Sequence, residues 1–147
     1  GQAEGQVSAA PVSSVDWIPT LLDACGIEAA PTAEGVSFAP QLKDAGAPAG
    51  RDAVFIQLAE QAAVVKGPHT LVVSPDGEQV LALYDTDADP SQVTDFKDDP
   101  AYGGTRSVLQ GRFRTWLADI ETRPGDMETA SSMAPAVKAS LSSVDLA

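Results

Sequence analysis

The chain has 147 residues, with 9 Lys plus Arg against 21 Asp plus Glu and a formal charge of −12 at pH 7. That length supports one domain with a core rather than two, and the charge argues against nucleic-acid or membrane-surface partners, which need clustered Lys and Arg. No apolar run approaches the ~18 residues of a spanning helix, and a hydrophobic fraction of 44% is too high for disorder throughout. The opening Gly1-Gln-Ala-Glu-Gly-Gln has neither a basic n-region nor an apolar h-region, so it does not read as a signal peptide. Either a leader has been removed or the chain is a piece of something longer.

The first patterned stretch predicts a short buried helix over about 14–26. Ser13 or Ser14 caps it, Asp16 sits near its positive end, and Pro19 falls in or just after the first turn. Trp17, Leu21, Leu22 and Cys25 recur at helical spacing on one face, and Gly26 suits a left-handed stop. Residues 28–50 are rich in Ala, Pro and Gly, and within them 35–42 reads as a packed loop or short helical turn. From Arg51 the pattern turns to strands, at 53–58, 62–66, 69–73 and 79–84, with Ser74-Pro75-Asp76-Gly77-Glu78 as a hairpin signal between the last two. An acidic loop from Asp85 to Pro100 follows. A helix then runs from a Thr105 cap to about Arg123, with Leu109, Phe113, Trp116, Leu117 and Ile120 as its apolar stripe. The tail from Thr129 is mostly Ala and Ser and either frays or docks elsewhere.

Little of the catalytic repertoire is available. One Cys and one His exclude a disulfide framework, cysteine-rich zinc sites and two-histidine metal motifs. Asp85, Asp87 and Asp89 alternate as a calcium loop begins, but Pro90 stands where such a loop needs Gly and Phe96 where it needs Glu; a solvated acidic turn is the better reading. Cys25, on an apolar helix face near its C-terminal end, reads as packing rather than nucleophile. His69 reads as a surface or edge-strand histidine, and Asp52 and Glu60 as lone solvated acids. Gly103-Gly104-Thr105-Arg106 lacks the spacing and the Lys of a phosphate loop. No self-sufficient catalytic or metal site is legible.

Two stretches nevertheless resemble one family. Val12-Ser13-Ser14-Val15-Asp16-Trp17-Ile18-Pro19-Thr20-Leu21-Leu22-Asp23-Ala24-Cys25-Gly26-Ile27, followed by Gly35-Val36-Ser37-Phe38-Ala39-Pro40-Gln41-Leu42, is similar to the helix and "G-x-S-x-x-P-x-L" loop of type I sulfatases. Leu83-Tyr84-Asp85 through Asp89-Pro90 is similar to that family's "L-Y-D-L-x-x-D-P" near its C-terminus. Gln92 replaces the usual Glu after the Asp-Pro turn, and Asp95-Phe96 stands where Asn-Leu is common. The resemblance covers about residues 12–123 and implies the alkaline-phosphatase-like superfamily. In that superfamily a large α/β domain carries the active site, and a small C-terminal domain packs a four-stranded antiparallel sheet against a helix.

On this reading the fold is α+β. Residues 1–50 are the end of the large domain, 51–125 the C-terminal subdomain, and 126–147 a flexible or docking tail. The family's Cys-x-Pro-Ser-Arg signature, whose Cys becomes formylglycine, lies upstream, as do its calcium ligands. Cys25 is followed by Gly26-Ile27-Glu28-Ala29 and is not that residue. The resemblance therefore implies a parent that cleaves sulfate esters with formylglycine and calcium or another divalent cation, and a missing N-terminal catalytic domain as this segment's partner. Glu60, Gln61, Lys66 and His69 are the substrate-rim candidates, because this part of the small sheet can approach the family's substrate pocket. A related phosphatase or phosphonate hydrolase is the enzymatic alternative, and a free-standing α+β interaction module the other. An exposed apolar patch at Trp17, Leu21 and Leu22 would mark a missing partner. The scarcity of Lys and abundance of Ala suggest a GC-rich bacterial source.

Overall fold

The computed structural model describes residues 4–30 and 33–121. Arg123 and the expected tail at 126–147 lie outside the described residues. The elements run in order as a 3-10 turn (Ser14–Asp16), α1 (Trp17–Ala24), α2 (Ala39–Lys43), β1 (Val54–Gln57), β2 (Ala62–Lys66), β3 (His69–Val73), β4 (Val80–Asp85), a second 3-10 turn (Pro100–Tyr102) and α3 (Gly103–Glu121).

The four strands form an antiparallel meander in the order β1-β2-β3-β4, as the alternating pattern implied. Lys66 pairs with His69 across Gly67-Pro68, with Gly67 at a positive φ of 56°. The Pro-Asp-Gly turn closes when Gly77 N–H donates to the Ser74 carbonyl at 2.8 Å. Gly77 is at φ 72°, and a Cβ there would stand 2.8 Å from the Phe113 ring, so both backbone shape and helix packing demand glycine.

Register sorts the side chains. One cross-strand row is Phe55, Val64, Leu71 and Leu83. Val64, Leu71 and Leu83 are wholly buried with Leu109 and Phe113 of α3, while Phe55 stacks on Trp116 at 4.8 Å. The opposite face carries Val54, Val65, Thr70 and Tyr84 in one row and Ile56, Ala63, Val72 and Ala82 in the next. That second face is largely apolar, and Ile56 on it is exposed. The β4 edge is blunted: Leu83 N–H donates to the Asp95 carboxylate at 3.0 Å, and Phe96 N–H donates to the Leu83 carbonyl at 2.8 Å.

The start of α3 differs from the expectation. Asp99 caps the 3-10 turn that runs into it, accepting from Ala101 N–H at 2.8 Å before Pro100, a residue whose missing N–H suits a first turn. Thr105 lies inside the helix.

The N-terminal helix is reversed relative to the expectation. Asp16 and Thr20 are buried, whereas Trp17, Ile18 and Leu21 are more than half exposed and Cys25 is exposed. The cause is a loop bonded to the helix's polar side. Val36 N–H donates to Asp16 Oδ1 at 2.8 Å, Phe38 N–H to Thr20 Oγ1 at 3.0 Å, and Ser37 Oγ to Asp23 Oδ2 at 2.6 Å. Asp16 and Thr20 take the inside position under the loop, Asp23 holds it from the exposed rim, Leu22 is half-buried, and Trp17, although it meets Phe38 edge-on at 5.4 Å, stays mostly exposed with Ile18 and Leu21. Gly35 permits the approach, since a Cβ there would fall 2.0 Å from the Val15 carbonyl oxygen. Gly26, at φ 71°, stops the helix as expected.

Candidate functional site

The four substrate-rim candidates fall at opposite ends of the sheet. Glu60 and Gln61 are exposed in the β1–β2 turn, where Leu58 N–H donates to the Gln61 carbonyl at 2.9 Å. Lys66 and His69 flank the β2–β3 turn. Five strand steps separate Gln61 from Lys66, roughly 16 Å, so the structure brings Lys66 and His69 together but not the other pair with them.

Lys66 and His69 border a groove of about 520 Å³ between the β2–β3 turn and the first turns of α3, lined also by Asp52, Pro68, Thr105 and Val108. Lys66 Nζ donates to Asp52 Oδ2 at 2.7 Å, and Arg112 of α3 donates to both oxygens of the same carboxylate. Asp52 is therefore not a lone acid. The Lys66 hydrogen bond, with Arg112 beside it, holds its carboxyl below the usual range against the opposing effect of burial. The groove thus presents one carboxylate held between two cations, with Pro68, Val108 and Leu109 as apolar lining.

His69 is not on an edge strand; β3 lies between β2 and β4. Its Nε2 stands 3.5 Å from Asp85 Oδ2, its register partner, and its ring meets Tyr102 edge-on at 6.1 Å. Tyr102 donates its hydroxyl to that same Asp85 oxygen at 2.9 Å.

Asp85 also closes the loop after β4, accepting from Asp87 N–H at 2.9 Å and Ala88 N–H at 3.3 Å. Asp89 closes the next turn, accepting from Thr94 N–H at 2.7 Å and Val93 N–H at 2.8 Å. The solvated-turn expectation is corrected here, because Asp85 is buried and both carboxylates face their own backbone. For Asp85, burial pushes the carboxyl upward, but the Tyr102 hydroxyl, the two amides and His69 outweigh it and hold it below the ordinary range.

Sequence reasoning missed Asp16 as the hub of the N-terminal lobe. Besides Val36, its carboxylate accepts from Ser13 N–H at 2.8 Å and from the Arg51 guanidinium. It thereby fastens the helix start, the Gly35–Phe38 loop and the lead-in to β1 at one point. The spacing Ser13-x-x-Asp16, a capping-box arrangement, was the available signal.

No family model matches the chain, and no curated protein does. Solved structures do. The phosphonate monoester hydrolase SpPMH from Silicibacter pomeroyi superposes with a TM-score of 0.62 at 21% identity, over 85% of this chain and 28% of its own. The 2-O GAG sulfatase BT1596 gives 0.54 at 25% identity, over 78% and 26%. BT4656, solved with D-glucosamine-2-N,6-O-disulfate as its substrate, gives 0.59 at 20% identity, over 76% and 25%. The chain has the fold of the C-terminal portion of these sulfatase-like hydrolases. It spans about a quarter of their length.

The sulfatase-like motifs found in the sequence are scaffold in this fold. Asp16, Thr20, Asp23, Gly35 and Ser37 bond the loop to α1, and Asp85 and Asp89 shape the turn after β4. Among the described residues no group of three or more His, Cys, Asp or Glu side chains is placed to hold a metal ion. Cys25 is the exposed residue closing α1, followed by Gly26. No helix among the described residues is long and apolar enough to cross a membrane.

Proposed function

We propose that this chain is the C-terminal part of a hydrolase of sulfate esters, whose larger N-terminal domain supplies the formylglycine nucleophile, the divalent cation and the sulfate contacts. In that role the segment is not catalytic. It completes the fold and, through the groove bordered by Lys66 and His69, shapes access of the sulfate-ester substrate. Glu60 and Gln61, at the far end of the sheet, belong to a different stretch of rim.

The observation that carries the reading is the inverted helix α1. Its polar stripe is consumed by the Gly35–Phe38 loop, while Trp17 at 57%, Ile18 at 64% and Leu21 at 55% exposure face outward. Contiguous apolar surface of this kind belongs under a partner, and the superposed hydrolases carry about three quarters of their length outside the matched part. A specific observation favours a second reading, a phosphonate or phosphate ester as substrate: the superposition on the phosphonate monoester hydrolase extends over more of this chain than those on the other two.

The test is hydrolysis of an aryl sulfate and of an aryl phosphonate monoester by the whole parent protein and by a form ending before Val12. The whole protein is expected to cleave the sulfate ester and the shortened form to lose that activity. Preference for the phosphonate would select the second reading, and full activity of the shortened form would overturn the role assigned to this segment.

A further inference from the structure

We propose that Gln41 and Arg51 hold one structural water at the seam between the N-terminal lobe and the lead-in to β1. Two buried polar atoms at this seam, Gln41 Oε1 and Arg51 Nε, find no hydrogen-bond partner among the described residues. Both residues line the same small cavity of about 10 Å³, whose wall also includes Pro11, Val12, Phe38 and Gly50. A buried donor or acceptor left unpaired is costly, and native folds complete such groups with protein or with ordered water.

Neither atom can readily turn away. Gln41 Nε2 donates to the Pro48 carbonyl, so flipping the amide would set its oxygen against another oxygen. Arg51 Nη2 is paired with Asp16 Oδ1, and Asp16 is itself anchored by the Ser13 and Val36 amides, which restricts how the guanidinium can turn. One orphan is a donor and the other an acceptor, yet they do not bond to each other. The group that completes them must accept from the guanidinium N–H and donate to the amide oxygen, and water does both. The Arg51 charge disfavours a cation here, and the Asp16 carboxylate with the Gln41 oxygen disfavours an anion. The volume matches a single water and excludes a larger hydroxyl compound. The bridge joins α2 to the residue that leads into β1, beside the Asp16 hub. This site stands whether or not the parent is a hydrolase.

The experiment is NMR of the nitrogen-labelled 147-residue chain, reading magnetisation transfer from water to the Arg51 Nε–H. Rotating-frame transfer separates a bound water from proton exchange by its sign. A held water gives a cross-peak with the sign of the protein's own contacts. Absence of that cross-peak, or the opposite sign that fleeting surface water gives, would overturn the site. Gln41→Met keeps the side-chain length and removes the acceptor, so the cross-peak should be lost; its persistence in the folded variant would overturn the bridge. A crystal structure of the unaltered chain gives a readout that no variant can confound. One water within hydrogen-bonding distance of both atoms is expected, and a direct Gln41–Arg51 hydrogen bond would overturn the proposal.

Discussion

Asp16 shows how one carboxylate can set the arrangement of a lobe. It is 1% exposed, and its oxygens serve the Ser13 and Val36 amides and the Arg51 guanidinium. A carboxylate so placed is tolerated because three donors meet its oxygens, and removing it leaves two part-buried amides and a half-enclosed cation without that partner. Asp16→Ala should therefore cost about 3 kcal/mol, the lower end of the range for breaking a buried pair, since Arg51 keeps some solvent contact. Asp16→Asn, which retains one acceptor oxygen, should cost less. The urea midpoint of each variant checks the order, and an Asp16→Ala midpoint equal to that of the unaltered chain would contradict it.

At the scale of elements, what was legible followed from short-range pattern. The alternating runs before and after Pro75-Asp76-Gly77 gave the β3–β4 hairpin, and the stripe through Leu109 and Phe113 gave the face of α3 on the sheet. What was not legible depended on partners distant in sequence. Two stripes on α1 share helical spacing, one apolar and one of Asp16, Thr20 and Asp23, and only the loop at 35–38 decides which is buried. Likewise His69 meets Asp85 through cross-strand register, 16 residues away, where local sequence shows no carboxylate. That pairing could have been counted back across the Pro-Asp-Gly turn, although an irregularity at Val72/Val73 shifts the count. Asp99-Pro100, opening the 3-10 turn that leads into α3, is a stronger helix-start signal than Thr105. The two helices accordingly respond differently to truncation. Phe113→Ala should destabilise the chain by about 3–5 kcal/mol through a cavity under the sheet, whereas Ile18→Ala, on the exposed face of α1, should stay within about 0.5 kcal/mol. Thermal melts of the two variants measure this, and equal losses would contradict the assignment of inside and outside.

At the scale of the whole molecule, each lobe has one satisfied face and one that is not. The sheet is closed by α3 on one side and has half-buried rows on the other with Ile56 exposed; α1 is covered by its loop on one side and presents Trp17, Ile18 and Leu21. Leu109 and Phe113 of α3 fill the covered face of the sheet, and the 35–38 loop of the sulfatase-like motif covers the polar side of α1. The most direct test is therefore the coding DNA immediately upstream of Gly1. The account predicts an in-frame extension, several times longer than this chain, that encodes Cys-x-Pro-Ser-Arg. A start codon or a secretion leader directly before Gly1 would contradict it, and the apolar face of α1 would then belong to a stand-alone interaction module.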